Sequence, residues 1–221
     1  MVHFKKSETE PASLAIEKAK TNGSYREADV LTAIKSDFKN KCYICEWKMP
    51  ITINVEHFLP HKGDKDLKFA WENLFWSCSH CNNTKSDNFT NILNCTLESD
   101  GVATKIKYNI NLFPFGEVYL HALENDPKVR ETVSLLDAVY NGTTPLKKIE
   151  SENLRTAISD EMILFRTSLV NYLKTDIPDI KAEYLRNIRD HLSKNSNFTA
   201  FKRWAIVENS ELKNVFEQFF D

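Results

Sequence analysis

Glycine and proline are scarce: the 221 residues hold 5 and 7 of them, which excludes collagen-like, linker-rich and low-complexity architectures. No run of about 18 apolar residues occurs, so no membrane-spanning helix and no membrane association are expected. The opening residues, Met1-Val2-His3-Phe4-Lys5-Lys6, lack the apolar stretch of a secretory signal, and a cytoplasmic location is the expectation. Neither sign of charge dominates. With 29 basic against 31 acidic residues the formal charge is −2, so no global field draws the chain to nucleic acid, and any such contact must come from a local patch. No Walker A motif and no repeat of fixed period occur. What is present, 42% apolar and 27% charged residues, is the composition of a folded protein. The length allows a small module beside a helical domain.

Helical patterning dominates both ends. Pro11 to Lys20 reads as a short helix, and Val30, Leu31, Ile34 and Phe38 mark an amphipathic helix from about Tyr25 to Phe38. Ile51, Ile53 and Val55 alternate with polar residues as a half-buried strand does, and Ile106, Tyr108, Ile110 and Leu112 do the same. Leu112 to Gly116 reads as an ordered loop. Asp126-Pro127 supplies an N-cap and a first-turn proline for a helix to about Tyr140. Further helices are expected from Pro145 to Lys174, within Asp176 to Lys194, from Phe198 to Val207 and from Glu211 to Phe219.

Four of the five cysteines form two C-x2-C pairs, Cys42/Cys45 and Cys78/Cys81. A tetrahedral Zn²⁺ needs four ligands, and two intervening residues let one tight turn supply two thiolates. A redox role is disfavoured because no thioredoxin-like βαβ pattern surrounds either pair. Four thiolates close the tetrahedron, so the zinc is structural and the chemistry falls to other residues. Cys95 reads as a buried free thiol, and His80, inside the second pair, as an exposed side chain.

Between and after the pairs stand Glu56-His57 at a strand end, Asn73-Leu74, and Cys81-Asn82-Asn83-Thr84-Lys85. This ordered set over residues 41–89 resembles the HNH nucleases with their ββα-metal finger, with Asn82 where many members carry histidine. The same residues suit phosphodiester hydrolysis on chemical grounds. His57 can take a proton from water near neutral pH. Glu56 and Asn82 offer hard oxygens suited to Mg²⁺ or Mn²⁺. Asn73 can brace the loop that aims His57, and Lys85, if a helix begins at Asn82, shares its face near a phosphate. Neighbouring side chains on a regular strand point to opposite faces, so Glu56 and His57 sharing a site requires the strand to end or bulge there. Lys62, Lys65 and Lys68 form a local basic stretch, with Lys62 and Lys65 as candidate substrate contacts. His61 and Asp64 lie close by and are candidate contacts to substrate or metal, with loop exposure the preferred reading for both.

Tyr43, Glu56-His57-Phe58, Phe69-Ala70-Trp71-Glu72-Asn73-Leu74, Asn111-Leu112-Phe113-Pro114, residues 130–136 and residues 198–201 give a narrower resemblance, to the PtuB-like HNH nucleases of Septu and retron anti-phage systems. That resemblance implies a PtuA-like ATPase partner, in retrons a reverse transcriptase with its RNA–DNA hybrid, and products with 5′-phosphate and 3′-hydroxyl ends. The expected fold class is α+β and mainly helical: N-terminal helices (1–40), a zinc-clamped HNH module (41–90), a connecting segment (91–125) and a helical C-terminal domain for partner docking (126–221). The expected function is metal-dependent endonuclease action on DNA, with RNA second. The alternative is a catalytically silent zinc-ribbon adaptor that binds nucleic acid or an ATPase.

Overall fold

The computed structural model describes residues 1–111 and 116–221; the Leu112 to Phe115 part of the expected strand, loop and motif lies outside them. The fold is mixed α and β. Helices α1 (Ala12–Lys18) and α2 (Ala28–Asp37) precede a two-stranded antiparallel sheet of β1 (Ile53–His57) and β2 (Leu74–Cys78). Helix α3 (Lys65–Phe69) lies in the connection between them, and α4 (Ser79–Lys85) follows β2 directly. A second hairpin, β3 (Ile106–Ile110) with β4 (Val118–Ala122), leads into α5 (Pro127–Tyr140), α6 (Pro145–Lys174), α7 (Pro178–Leu192), α8 (Thr199–Val207) and α9 (Ser210–Phe216).

The helix starts follow local chemistry. Asp126 caps α5 by accepting the Lys128 amide at 2.6 Å, and Pro127, Pro145 and Pro178 occupy first-turn positions where a missing N–H costs nothing. In β3 the alternation of Ile106, Tyr108 and Ile110 turns all three into the core, with β3 packed on α8 and β4 on α5. One strand expectation needs correction: Ile51 is fully exposed and precedes the strand, which begins at Ile53. Strand β4 is not among the expected strands and carries a weak signal, because only Val118 on it is buried.

The apolar core runs without a break from the N-terminal segment (Phe4, Val30, Phe38) through β2 to Phe165, Phe198 and Phe216. Buried polar contacts fasten the first cysteine turn to α8. Lys41 Nζ donates to the Lys194 carbonyl at 2.9 Å and to Thr199 Oγ1 at 3.1 Å, and the Ala200 amide donates to Glu46 Oε2 at 3.1 Å. Deeper in the helical layer, Lys202 Nζ lies 2.6 Å from Glu161 Oε2 with its side chain wholly buried. Removing the carboxylate leaves that ammonium, among the described residues, only the Ser196 hydroxyl, 2.8 Å away, and Glu161 is itself partly exposed. Glu161→Ala is therefore expected to lose about 2–3 kcal/mol of stability in urea unfolding; a loss below about 1 kcal/mol would contradict this reading of the pair.

Candidate active site

The two cysteine turns are built differently and converge. In the first, Glu46 donates its amide to the Cys42 carbonyl at 2.9 Å and adopts a left-handed φ of 63°, which folds Cys45 back beside Cys42. In the second, Cys78 ends β2 and is the residue before α4, so Cys81 falls in the first helical turn. All four sulphurs are buried and lie within 4.8 Å of one another, with Cys45 and Cys78 3.9 Å apart. Tetrahedral Zn–S bonds of about 2.3 Å require sulphurs about 3.8 Å apart, so the cage fits Zn²⁺. Burial pushes the Cys45 and Cys81 thiols well up, and a bound cation takes the place of their protons.

Strand β1 and helix α4 border a cavity of about 520 Å³, with the second cysteine turn of the cage where β2 runs into α4. Val55, Glu56 and His57 line it in succession, with Asn82 facing them from α4. β1 ends at His57, as a shared site requires: the ladder closes with His57 opposite Leu74, and beyond it the Phe58 amide donates to Asn73 O. Glu56 and His57 thus border the cavity from the last two residues of the strand.

His57 is fixed by its surroundings. Its Nε2 lies 2.9 Å from the carbonyl oxygen of Lys68, an atom that can only accept, so Nε2 carries the proton and Nδ1 keeps a lone pair. No residue among those described bonds to that Nδ1. Burial lowers the His57 pKa, with the charges of His61, Arg26 and Lys68 adding to the effect against the pull of the Lys68 carbonyl, so the ring is neutral at neutral pH. The Tyr25 and His61 rings hold it in edge contacts with centroids 4.6 Å away on each side. Asn73, 7% exposed, accepts the Leu59 amide at 2.7 Å and donates to the carbonyls of Leu59 and Leu67 at 2.9 and 3.0 Å. It thereby ties both ends of the segment that brings Lys68 O to His57. Asp64 caps α3 inside that segment through the Asp66 and Leu67 amides.

Glu56 is 5% exposed. Its Oε1 lies 3.0 Å from Lys85 Nζ and accepts from Tyr43 Oη at 3.2 Å, while Oε2 is buried with no hydrogen-bond partner. Burial pushes its pKa up to about 7 against the pull of Lys85. An orphaned carboxylate oxygen is costly unless a cation or donor meets it. The Asn82 carboxamide, on the same cavity, likewise has no partner among the described residues. Together they suit a hard divalent ion, Glu56 through Oε2 and Asn82 through its amide oxygen.

Within residues 42–88 the chain matches the family model described as HNH endonuclease. This segment is an HNH module. The chain is also similar to the Septu protein PtuB of Bacillus thuringiensis, 31% identical over 96 residues. That match covers 38% of this chain and 37% of that protein, so it speaks for just over a third of either. No solved structure matches the chain.

Several residues of the HNH module lie where sequence alone did not put them. Helix α4 starts at Ser79 rather than Asn82, and Lys85 ends it. Lys85 is 1% exposed, bonded to Glu56 and to the His57 carbonyl at 3.3 Å, so it braces the site from inside rather than meeting a phosphate from solvent. Lys65 caps the end of α1 by donating to Lys20 O at 2.9 Å, and Lys68 donates to Gly23 O at 3.1 Å. Of that basic stretch only Lys62 borders the cavity. His80 is not exposed: its ring bridges Glu150 Oε2 at 2.8 Å and the Val139 carbonyl at 2.9 Å, tying α4 to the helical layer. Tyr25 and Arg26 join the cavity from the N-terminal segment. No motif marks them, because only the tertiary fold brings them to His57.

Proposed function

We propose that the chain is a metal-dependent HNH endonuclease that hydrolyses phosphodiester bonds in DNA as the effector of an anti-phage system, together with a PtuA-like ATPase. The observation that carries this reading is the disposition of His57. Its Nε2–H is spent on Lys68 O, which leaves Nδ1 free, and the ring lines a cavity that Glu56, with its buried unpartnered Oε2, and Asn82 also border. His57 Nδ1 takes the proton of a water as that water's oxygen bonds to phosphorus. The P–O3′ bond breaks, and the leaving oxygen takes a proton from solvent, giving 5′-phosphate and 3′-hydroxyl ends. Mg²⁺ or Mn²⁺ on Glu56 and Asn82 would supply Lewis-acid stabilisation of charge on the phosphate and leaving oxygen. Arg26 and Lys62, at the cavity rim, supply local positive charge to a chain of net charge −2.

The ATPase partner is what the resemblance to the PtuB-like nucleases implies, and the likeness to a Septu protein supports that reading. A reverse transcriptase with its RNA–DNA hybrid would join the assembly in a retron setting; the relative's name favours the Septu setting. No helix among the described residues is long and apolar enough to cross a membrane. The test is cleavage of plasmid DNA and of tRNA with Mg²⁺ or Mn²⁺, wild type against His57→Ala, with and without a PtuA-like ATPase. Binding of nucleic acid with no metal-dependent cutting in any combination would favour the silent adaptor instead.

A further inference from the structure

We propose that His61 is a second catalytic histidine, which donates its Nε2–H to a phosphate oxygen of the bound phosphodiester. The proposal rests on the nuclease reading above and adds a role to a residue that reading does not use.

A tight turn positions His61. Residues His61 to Asp64 reverse the chain just after Pro60, with the Asp64 amide donating to the His61 carbonyl at 2.7 Å. Lys62 and Gly63 both take positive φ, 45° and 91°, and a glycine at 63 accommodates the second at no steric cost. This geometry aims the Gly63 amide at His61 Nδ1, 3.1 Å away. An amide N–H can only donate, so Nδ1 holds a lone pair and the neutral ring carries its hydrogen on Nε2. That Nε2–H has no partner among the described residues, and the ring lines the cavity with its centroid 4.6 Å from that of His57.

The two imidazoles are therefore complementary. His57 spends its Nε2–H on Lys68 O and offers a lone pair. His61 spends its Nδ1 lone pair on Gly63 and offers an N–H. Hydrolysis calls for both: an acceptor for the proton of the attacking water, and a donor where negative charge gathers on the phosphate oxygens. The backbone fixes each ring before substrate arrives, so neither must reorient during the reaction.

Two side chains separate this role from a merely structural one. Glutamine at 61 places an amide N–H where Nε2 stands; asparagine places its oxygen where Nδ1 stands, keeping the Gly63 bond and losing the far donor. Single-turnover plasmid cleavage by the full chain with Mn²⁺ should keep His61→Gln within about tenfold of wild type and lower His61→Asn and His61→Ala about a hundredfold, in kcat rather than KM. Equal activity of the Asn and Gln variants, high or low, overturns the proposal. Wild-type cleavage by His57→Ala would instead sink the underlying nuclease reading. A readout free of turnover is the ¹⁵N–¹H imidazole spectrum of the full chain. It should report the Nε2–H form at His61 and a shift of that nitrogen on adding thymidine 3′,5′-bisphosphate. An Nδ1–H form, or no shift where His57 moves, overturns the proposal as well.

Discussion

His57→Ala is expected to lower phosphodiester cleavage about a thousandfold or more, within the 10²–10⁴ range of a positioned general base. The variant should remain folded and keep its zinc. The lost side chain makes one hydrogen bond, to Lys68 O, and two ring contacts, and none of these reaches the cysteine cage. Kinetics of matched preparations, with zinc content and circular dichroism alongside, would check both halves. Cleavage within about tenfold of wild type would remove His57 from the reaction. Proton competition gives the same experiment a pH signature. Glu56, pushed up to about 7 by burial, must lose its proton before it can hold a cation. The Mn²⁺ concentration for half-maximal rate is therefore expected to rise as pH falls through 7. His57, which burial lowers below its ordinary value, holds its base form to lower pH than a free imidazole does.

Loss of the zinc cage is expected to have the largest effect on structure. Structural Zn²⁺ contributes about 10–16 kcal/mol, as much as the whole stability of a typical domain, about 5–15 kcal/mol. Three elements of the site hang on the cage: β2 ends at Cys78, α4 carries Cys81 four residues before Lys85, and the first turn docks on α8 through Lys41 and Glu46. A Cys78→Ser/Cys81→Ser double variant should bind no zinc by mass spectrometry, lose cooperative thermal unfolding of the HNH module and be inactive. A variant that kept the wild-type melting temperature and activity without zinc would refute a structural role for the metal.

Much of this architecture could be read from local sequence, where the determinants are local. The C-x2-C spacing names a metal turn without reference to the rest of the chain, and Asp126-Pro127, Pro145 and Pro178 open helices where first-turn proline predicts them. Asn73 makes the backbone bonds that a brace requires, because its partners lie within 14 residues along the chain. The readings that failed concern direction and distance. Lys85 has the right spacing from Asn82 for a surface contact, yet a buried carboxylate on another element claims it. His80 sits in a metal turn, yet Glu150, 70 residues away, sets its environment. Tyr25 and Arg26 reach His57 only through tertiary packing, and Ile51 matches the strand period while lying beyond the strand. The end of β1 at His57 lets two adjacent side chains border one cavity, as the sequence reading requires.

The claim on which the rest depends is that one divalent ion sits beside His57 on the oxygens of Glu56 and Asn82. Anomalous diffraction from crystals of the full chain soaked in Mn²⁺ addresses it most directly. The account predicts a manganese peak within bonding distance of Glu56 Oε2 and the Asn82 amide oxygen, with His57 Nδ1 facing the cavity and free of the metal. Manganese bound by His57 Nδ1 itself, or absent from this cavity while bound elsewhere, would contradict it.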